Sequence, residues 1–258
     1  MSSIATAPAA GGGASPRRPR VWLGLVSQPV AVLAVFAAFA VWLSVADLSA
    51  AERTTLNPSN LVTYTGEHLA LTFVSAVIVL VIAIPLGIIL TRRPFVRISG
   101  GVLAIANIGQ AAPAIGLIVL LAFWLGFSFR AAVVALVLYA VLPVLRNTMI
   151  GLQSVDSRLV EAGRGMGMSA LSVLMKVELP LAVPVMLSGI RTALVLLVGS
   201  AALATFIGAG GLGLLITTGV NLFLPRVLVS GALLIALLAL LIDWVGRVVE
   251  HVARPKGL

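Results

Sequence analysis

The sequence predicts an all-α, polytopic membrane helix bundle with six spans. Composition is the first observation behind this. Hydrophobic residues make up 60% of 258 and charged residues 10%, against about 45–50% and about 25% in a soluble domain. The second is length: the apolar residues gather in six runs, each close to the roughly 20 residues that cross a hydrocarbon core of about 30 Å. The third is the placement of Lys and Arg, which collect in alternate connections.

Residues 1–20 are rich in Ala, Gly, Ser and Pro and cannot bury a core, so a disordered cytoplasmic N-terminus is expected. Arg17, Arg18 and Arg20 then lead into the first span, placed within 21–50. A basic start before an apolar run is also the form of a signal peptide. The apolar run here is about 20 residues against 7–15 for a signal core, and no small-x-small cleavage site follows, so the span is read as retained. A polar loop covers 47–67, with Asn57-Pro58 as a turn signal. The second span runs over about 68–90 and is followed by Arg92, Arg93 and Arg97. The third covers about 99–125 and is interrupted by Asn107, Gln110 and Pro113. The fourth starts near 131 and contains Pro143. The fifth covers about 181–207 and the sixth about 227–245. The core domain is set at 66–250, its cytoplasmic loop at 152–182 and a cytoplasmic tail at 251–258.

With the amino terminus inside, the cytoplasmic basic residues are Arg17, Arg18, Arg20, Arg92, Arg93, Arg97, Arg146, Arg158, Arg164, Lys176, Arg247, Arg254 and Lys256. Only Arg53, Arg130 and Arg226 fall outside. The positive-inside rule therefore predicts both termini in the cytoplasm of a plasma membrane, with the 152–182 loop on the same side. The net charge of +9 is explained by these flanks. Aromatic residues are scarce and no basic stripe exists, so nucleic acid is not an expected partner.

The 156–180 stretch, DSRLVEAGRGMGMSALSVLMKVELP, is the longest polar interruption in the second half of the chain. It is punctuated as two short helices. Asp156 or Ser157 caps the first through a side-chain oxygen, and Gly165 and Gly167 end it, glycine reaching φ > 0 without a Cβ clash. Ser169 caps the second and Pro180 is expected to stop it. Leu171, Leu174 and Val177 recur every three residues and give the second piece an apolar face. With no lipid around it, such a hairpin is expected to dock on another protein.

Glu161-Ala162-Gly163, then Gly167, then Val177-Glu178-Leu179-Pro180 resembles the EAA loop of bacterial ABC importer permeases, which reads Glu-Ala-Ala, three residues, Gly, nine residues, Ile-x-Leu-Pro. Gly163 stands for the second Ala and Val177 for the Ile, and the spacing fits without gaps. The resemblance implies that this loop couples to a cytoplasmic ATPase subunit. It makes Glu161, Ala162, Gly163, Gly167, Leu179 and Pro180 the coupling residues. Further stretches resemble the osmoprotectant branch: Gly109-Gln110 with Pro113, LYAVLP with Tyr139, LRNT from Leu145, EAGRGMGMS, VELPLAVPVMLSGIRTA and IGAGGLG. That branch imports glycine betaine, choline, carnitine and related quaternary amines. It implies a five-span permease core, here the second to the sixth span, preceded by one N-terminal span, together with an ATPase dimer, a second permease identical or homologous to this one, and a separate extracytoplasmic substrate-binding protein. ATP and magnesium would be held by the ATPase, and this chain would carry no cofactor.

Several other features have competing readings. Asn107 and Gln110 are three apart on one helix face. They serve either interhelical hydrogen bonds or, with Tyr139, a translocation path beside a helix broken at Pro113. Arg191 sits seven residues past Pro184; it is either an interfacial anchor reaching the headgroups or a latch from its span to the central loop. Gly208, Gly210 and Gly213 match G-x-G-x-x-G, but the strand and the acid about 20 residues on that a dinucleotide site needs are missing. Close backbone packing is the better reading. His68 and His251 lie far apart and there is no cysteine, so no metal-ligating or catalytic constellation is expected. No G-x-x-x-x-G-K-[ST] occurs, so ATP hydrolysis falls to a separate subunit. A permease of the same loop type for amino acids or another small solute is the nearest alternative. A secondary transporter would be expected to show internal repeats and buried coupling carboxylates, and Asp243 is the only acid placed near the end of a core span. A scaffold with no transport role leaves the hairpin unexplained.

Overall fold

The computed structural model describes residues 21–253. The expected disorder of residues 1–20, and the basic residues Arg17, Arg18, Arg20, Arg254 and Lys256, lie outside the described residues.

Among the described residues every regular element is helical. The order is α1 (Val21–Val45), α2 (Ala50–Thr55), α3 (Pro58–Leu90), α4 (Ser99–Ala111), α5 (Ala114–Leu125), α6 (Phe129–Gln153), α7 (Ser157–Gly165), α8 (Ala170–Val173), α9 (Leu179–Ala201), α10 (Gly213–Asn221) and α11 (Pro225–Ala253). Five continuous helical stretches are long and apolar enough to cross a membrane, and α4 with α5 forms a sixth apolar stretch bent by 97°. The all-α membrane bundle is therefore what the chain builds. Its third span is not a straight crossing. Ala112 turns to an extended conformation (ψ 141°), and Pro113, which has no amide to donate, starts the new helix.

Three boundaries differ from the sequence reading. The second span begins at Pro58, not near 68. The Asn57 side chain accepts from the Ser59 amide and Pro58 occupies the first turn, where its missing N–H costs nothing. The outer part of the expected loop is thus helix, and Glu67 stands inside α3. Pro180 does not stop the second hairpin helix. Residues 174–178 form a π turn, the Leu179 amide reaching back five residues to the Leu174 carbonyl. Helix continues from Ala170 to Ile207, with Pro180 in the first turn of α9. Two short helices at the end of the bundle away from the 156–180 hairpin, α2 and α10, have no counterpart in the hydropathy pattern. The first is announced by Ser49-Ala-Ala-Glu52, a capping box in which the Glu52 amide donates to Ser49 Oγ at 3.3 Å and Glu52 Oε2 accepts the Ser49 amide at 2.9 Å.

α6 is the centre of the bundle. It packs against α9, α3, α4 and α5, burying Ala135, Leu136, Ala140, Val144 and Leu145. The α6–α9 crossing is very close: a Cβ on Gly189 would fall 2.4 Å from Asn147 Cβ and 2.7 Å from the Pro143 carbonyl oxygen. Glycine is the residue that lets two backbones approach this way in a membrane, where van der Waals packing replaces the hydrophobic drive. α1 is peripheral, resting on α11. Gln28 Nε2 donates to the Leu240 carbonyl at 2.9 Å and Trp244 Nε1 to the Leu25 carbonyl at 2.7 Å.

Candidate coupling site and translocation path

The hairpin at the end of α6 is built by local chemistry. Asp156 Oδ1 accepts the Arg158 amide at 2.9 Å and so caps α7. The Arg158 guanidinium returns to the same carboxylate, Nη2 to Oδ2 at 2.6 Å. That guanidinium first, and the amide second, hold the Asp156 carboxyl below its ordinary range. At the other end of α7 the Met168 amide bonds the Gly163 carbonyl at 3.2 Å and the Gly167 amide bonds the Arg164 carbonyl at 2.9 Å. This is the Schellman pattern, and it needs a left-handed residue. Gly167 supplies it with φ 82°. Ser169 Oγ then accepts the Ser172 amide and starts α8. Gly163 is buried; a Cβ there would touch Met168 Sδ at 3.4 Å and Val173 Cγ2 at 3.5 Å, so α7 lies close on α8.

Of the expected apolar face only Leu171 remains open. Leu174 and Val177 are half-buried, and Leu174 packs towards Leu152 and Ala182. Met166, Leu171 and Met175 are 77%, 68% and 58% exposed. The step to i→i+5 in the π turn rotates the following residues, which the three-residue period could not reveal. Glu161 and Ala162 are exposed beside this face, and among the described residues Glu161 has no hydrogen-bond or ion-pair partner. An exposed apolar patch rimmed by an uncommitted charge is the form of a protein docking surface.

The hairpin is tied to the bundle by Arg92, two residues past α3. Its guanidinium bonds Glu178 through two nitrogens, Nη1 donating to Oε1 at 3.1 Å and Nη2 to Oε2. Glu178 is 5% exposed. Arg191 does not serve this role. Its Nη1 donates to Glu250 Oε2 at 3.0 Å and its Nε lies 3.4 Å from Asp243 Oδ1, so it latches α9 to α11 and not to the central loop. Asp243 is also held by Arg247 Nη2 at 2.7 Å. The sequence gives one hint of this pairing, since Asp243 and Glu250 are two turns apart and can face one cation. Gly246 lies between them, and a Cβ there would meet Arg191 Cγ at 2.9 Å.

Along the broken span, Asn107 is exposed and Gln110 half-buried; Tyr139, on α6, is half-buried. Among the described residues none of the three has a side-chain hydrogen-bond partner. α4 rests on α6 where a Cβ on Gly109 would fall 2.9 Å from the Leu138 carbonyl oxygen, and α4 buries no residue within the chain. Polar side chains thus stand on an apolar, uncovered helix.

At the opposite end of the bundle the glycines of IGAGGLG form a loop between α9 and α10. Gly208, Gly210 and Gly211 have φ of 72°, 82° and 91°. The Gly211 amide donates to Glu67 Oε2 at 2.8 Å. His68 is fully buried beneath it, its Nε2 2.9 Å from the Val198 carbonyl oxygen.

Comparison with known proteins places these features in a group. Residues 83–254 match the family described as binding-protein-dependent transport system inner membrane component. The chain is 41% identical over 202 residues to the glycine betaine/carnitine/choline transport system permease protein OpuCB of Bacillus subtilis (strain 168), covering 78% of this chain and 92% of that one. It is 40% identical over 207 residues to the osmoprotectant import permease protein OsmW of Salmonella typhimurium, covering 78% and 95%. Among solved structures it is similar to the inward-facing MetNI methionine ABC transporter, with TM-score 0.66 and 29% identity over 76% of this chain and 96% of that one.

Proposed function

Because the chain belongs to the family of binding-protein-dependent transport system inner membrane components, we propose that it is the membrane subunit of an ATP-driven importer of quaternary-amine osmoprotectants. Glycine betaine, choline and carnitine are the intended cargo. The observation that carries the transport reading is the 156–180 hairpin: a rigid, capped element whose Met166, Leu171 and Met175 are exposed and whose Glu161 is uncommitted. It is the surface for a cytoplasmic ATPase, which holds the ATP and magnesium and performs the hydrolysis. The cargo class is supported by the names of relatives that match at about 40% identity over most of their length.

The uncovered polar face of α4 supports a second permease, identical or homologous. Asn107, Gln110 and Tyr139 would then line a path at the seam between two copies, with two ATPases below and a separate binding protein on the outer face. The Lys/Arg distribution puts both termini in the cytoplasm of a bacterial plasma membrane. ATPase closure presses on two hairpins and switches the shared cavity between outward and inward access. The test is uptake by proteoliposomes holding this chain, its ATPase and its binding protein. ATP-dependent accumulation of labelled glycine betaine or choline, with methionine excluded, is the expected result. Methionine uptake with no response to quaternary amines would replace the cargo with an amino acid; uptake without any ATPase would end the importer reading.

A further inference from the structure

We propose that Glu67 is a gating residue of the outer mouth and that α3 links it to the coupling hairpin; this rests on the importer reading above. α3 is tied to one continuous stretch of chain, 170–211, at two places, Glu67 within the helix and Arg92 two residues past its end. At the inner end Arg92 holds the buried Glu178, where the hairpin runs into α9. At the outer end Glu67 Oε2 accepts the Gly211 amide at 2.8 Å, where α9 has passed through a 3₁₀ stretch, 202–207, into the glycine loop. From Glu67 to Leu90 is about 35 Å at 1.5 Å per residue. Between the two ties α3 packs on α6 and α9 through Leu71, Thr72, Ser75, Val79 and Ala83, all buried. A push on the hairpin therefore reaches the outer loop along two packed helices tied together at Arg92 and at Glu67.

The outer tie is built to let the loop seat and leave. A Cβ on Gly210 would lie 2.4 Å from Glu67 Oε2, and one on Gly211 3.2 Å from His68 Nδ1. Two left-handed glycines thus clear the space that the carboxylate and the imidazole occupy. The Nδ1 atom of His68 is buried with no partner, so the loop rests on the imidazole without bonding it. One side-chain hydrogen bond, from the Gly211 amide to Glu67 Oε2, is the polar tie of loop to helix; next to it Leu212 is buried in an apolar cluster with Leu61, Tyr64 and Leu69 of α3. Breaking the tie releases the part of the loop before Leu212, whose three positive-φ glycines can change conformation without a Cβ penalty.

The chain has no cysteine, so Ala209→Cys gives a unique label site on the loop. The complex with its ATPase and binding protein is placed in nanodiscs, and the rate of reaction with a polar maleimide is measured with and without ATP and vanadate. In this parent the rate should change by about fivefold or more with nucleotide, the low end of ordinary coupling between sites. Arg92→Ala should abolish that change while ATPase remains bound. Glu67→Ala should label fast in both states, and Glu67→Gln, which keeps a carbonyl acceptor, should restore the dependence. A responsive parent with Arg92→Ala and Glu67→Ala equally responsive overturns the inference and leaves the importer reading intact. A parent with no nucleotide response, in a complex that still accumulates glycine betaine or choline with ATP, also overturns the inference; loss of ATP-dependent uptake by the unlabelled complex is what would overturn the importer reading. Should Arg92→Ala release the ATPase, Glu67→Ala decides: far from the ATPase, it must uncouple the loop with assembly complete, and parental labelling there refutes the proposal.

Discussion

Arg92 and Glu178 meet side-on where the 156–180 hairpin joins the bundle, each Nη of the guanidinium on its own carboxylate oxygen. Their exposure is unequal: the Glu178 side chain is 7% exposed and that of Arg92 36%. Removing one partner of a buried pair costs about 3–5 kcal/mol because the other is left uncompensated, and here only Glu178 is trapped. Arg92→Ala should therefore lower the thermal stability of the purified permease clearly more than Glu178→Ala, after which Arg92 can rehydrate. Equal losses in a melting experiment would mean that the pair contributes no buried charge. Arg92→Lys should recover little, a lysine having no planar fork to match two oxygens.

Gly167 is the test of the hairpin. Its φ of 82° costs a residue with a Cβ roughly 1–2 kcal/mol, yet nothing lies within 4 Å of where that Cβ would be. The space is open because it faces outward, beside Met166. Gly167→Leu should leave the spans inserted, weaken co-purification of the ATPase and lower uptake; Glu161→Ala should do so more mildly. Normal assembly and wild-type uptake by Gly167→Leu would remove this stretch as the coupling element.

Gly189 and Gly199 lie ten residues apart on α9 and should respond oppositely. At Gly189 a Cβ would overlap Asn147 and the Pro143 carbonyl, so Gly189→Ala must push α6 from α9, an overpacking cost of about 1–3 kcal/mol or more. At Gly199 no atom lies within 4 Å, and Gly199→Ala should be neutral or stabilise by about 0.5–1 kcal/mol through helix propensity. Melting temperatures in detergent decide it; a harmless Gly189→Ala would contradict the close crossing.

The α7 cap carries a pH dependence. Arg158 holds the Asp156 carboxyl below its ordinary value, so the folded state binds this proton more weakly than the unfolded one. The contribution is present above the unfolded value and is lost as pH falls through the depressed folded value. Protection of the first α7 amides from exchange should fade only on acidification below the usual carboxylate range. Asp156→Asn, which can still cap, should remove that dependence; fading near neutral pH would assign it to another group.

What could be read in advance divides by range. Spans follow from apolar length, and the hairpin from Asp156, Gly167 and Ser169, because caps are satisfied within a few residues. Arg191 shows where this ends: its cost in a span was visible, but its partners are 52 and 59 positions away, and local spacing pointed to the wrong neighbour. Hydropathy places Glu67 in a loop because apolar content begins later, while the helix is started by the Asn57-Pro58 cap regardless of polarity. α10 has nine residues, too few for a hydropathy window. Pro180 failed as a stop because the proline rule assumes an i→i+4 helix before it.

That last point bears on register. A π turn holds one residue more than an α turn would over the same rise. Each residue of an α-helix turns the chain by about 100°. The 174–178 turn therefore sets the angular phase between hairpin and span, independently of any contact either makes. Deleting one residue from it would leave composition, apolar length and every cap intact. The turn would then close as an ordinary α turn with both flanks in phase, whereas the same deletion on either side of it would swing Met166 and Leu171 about a quarter turn around the axis of α9.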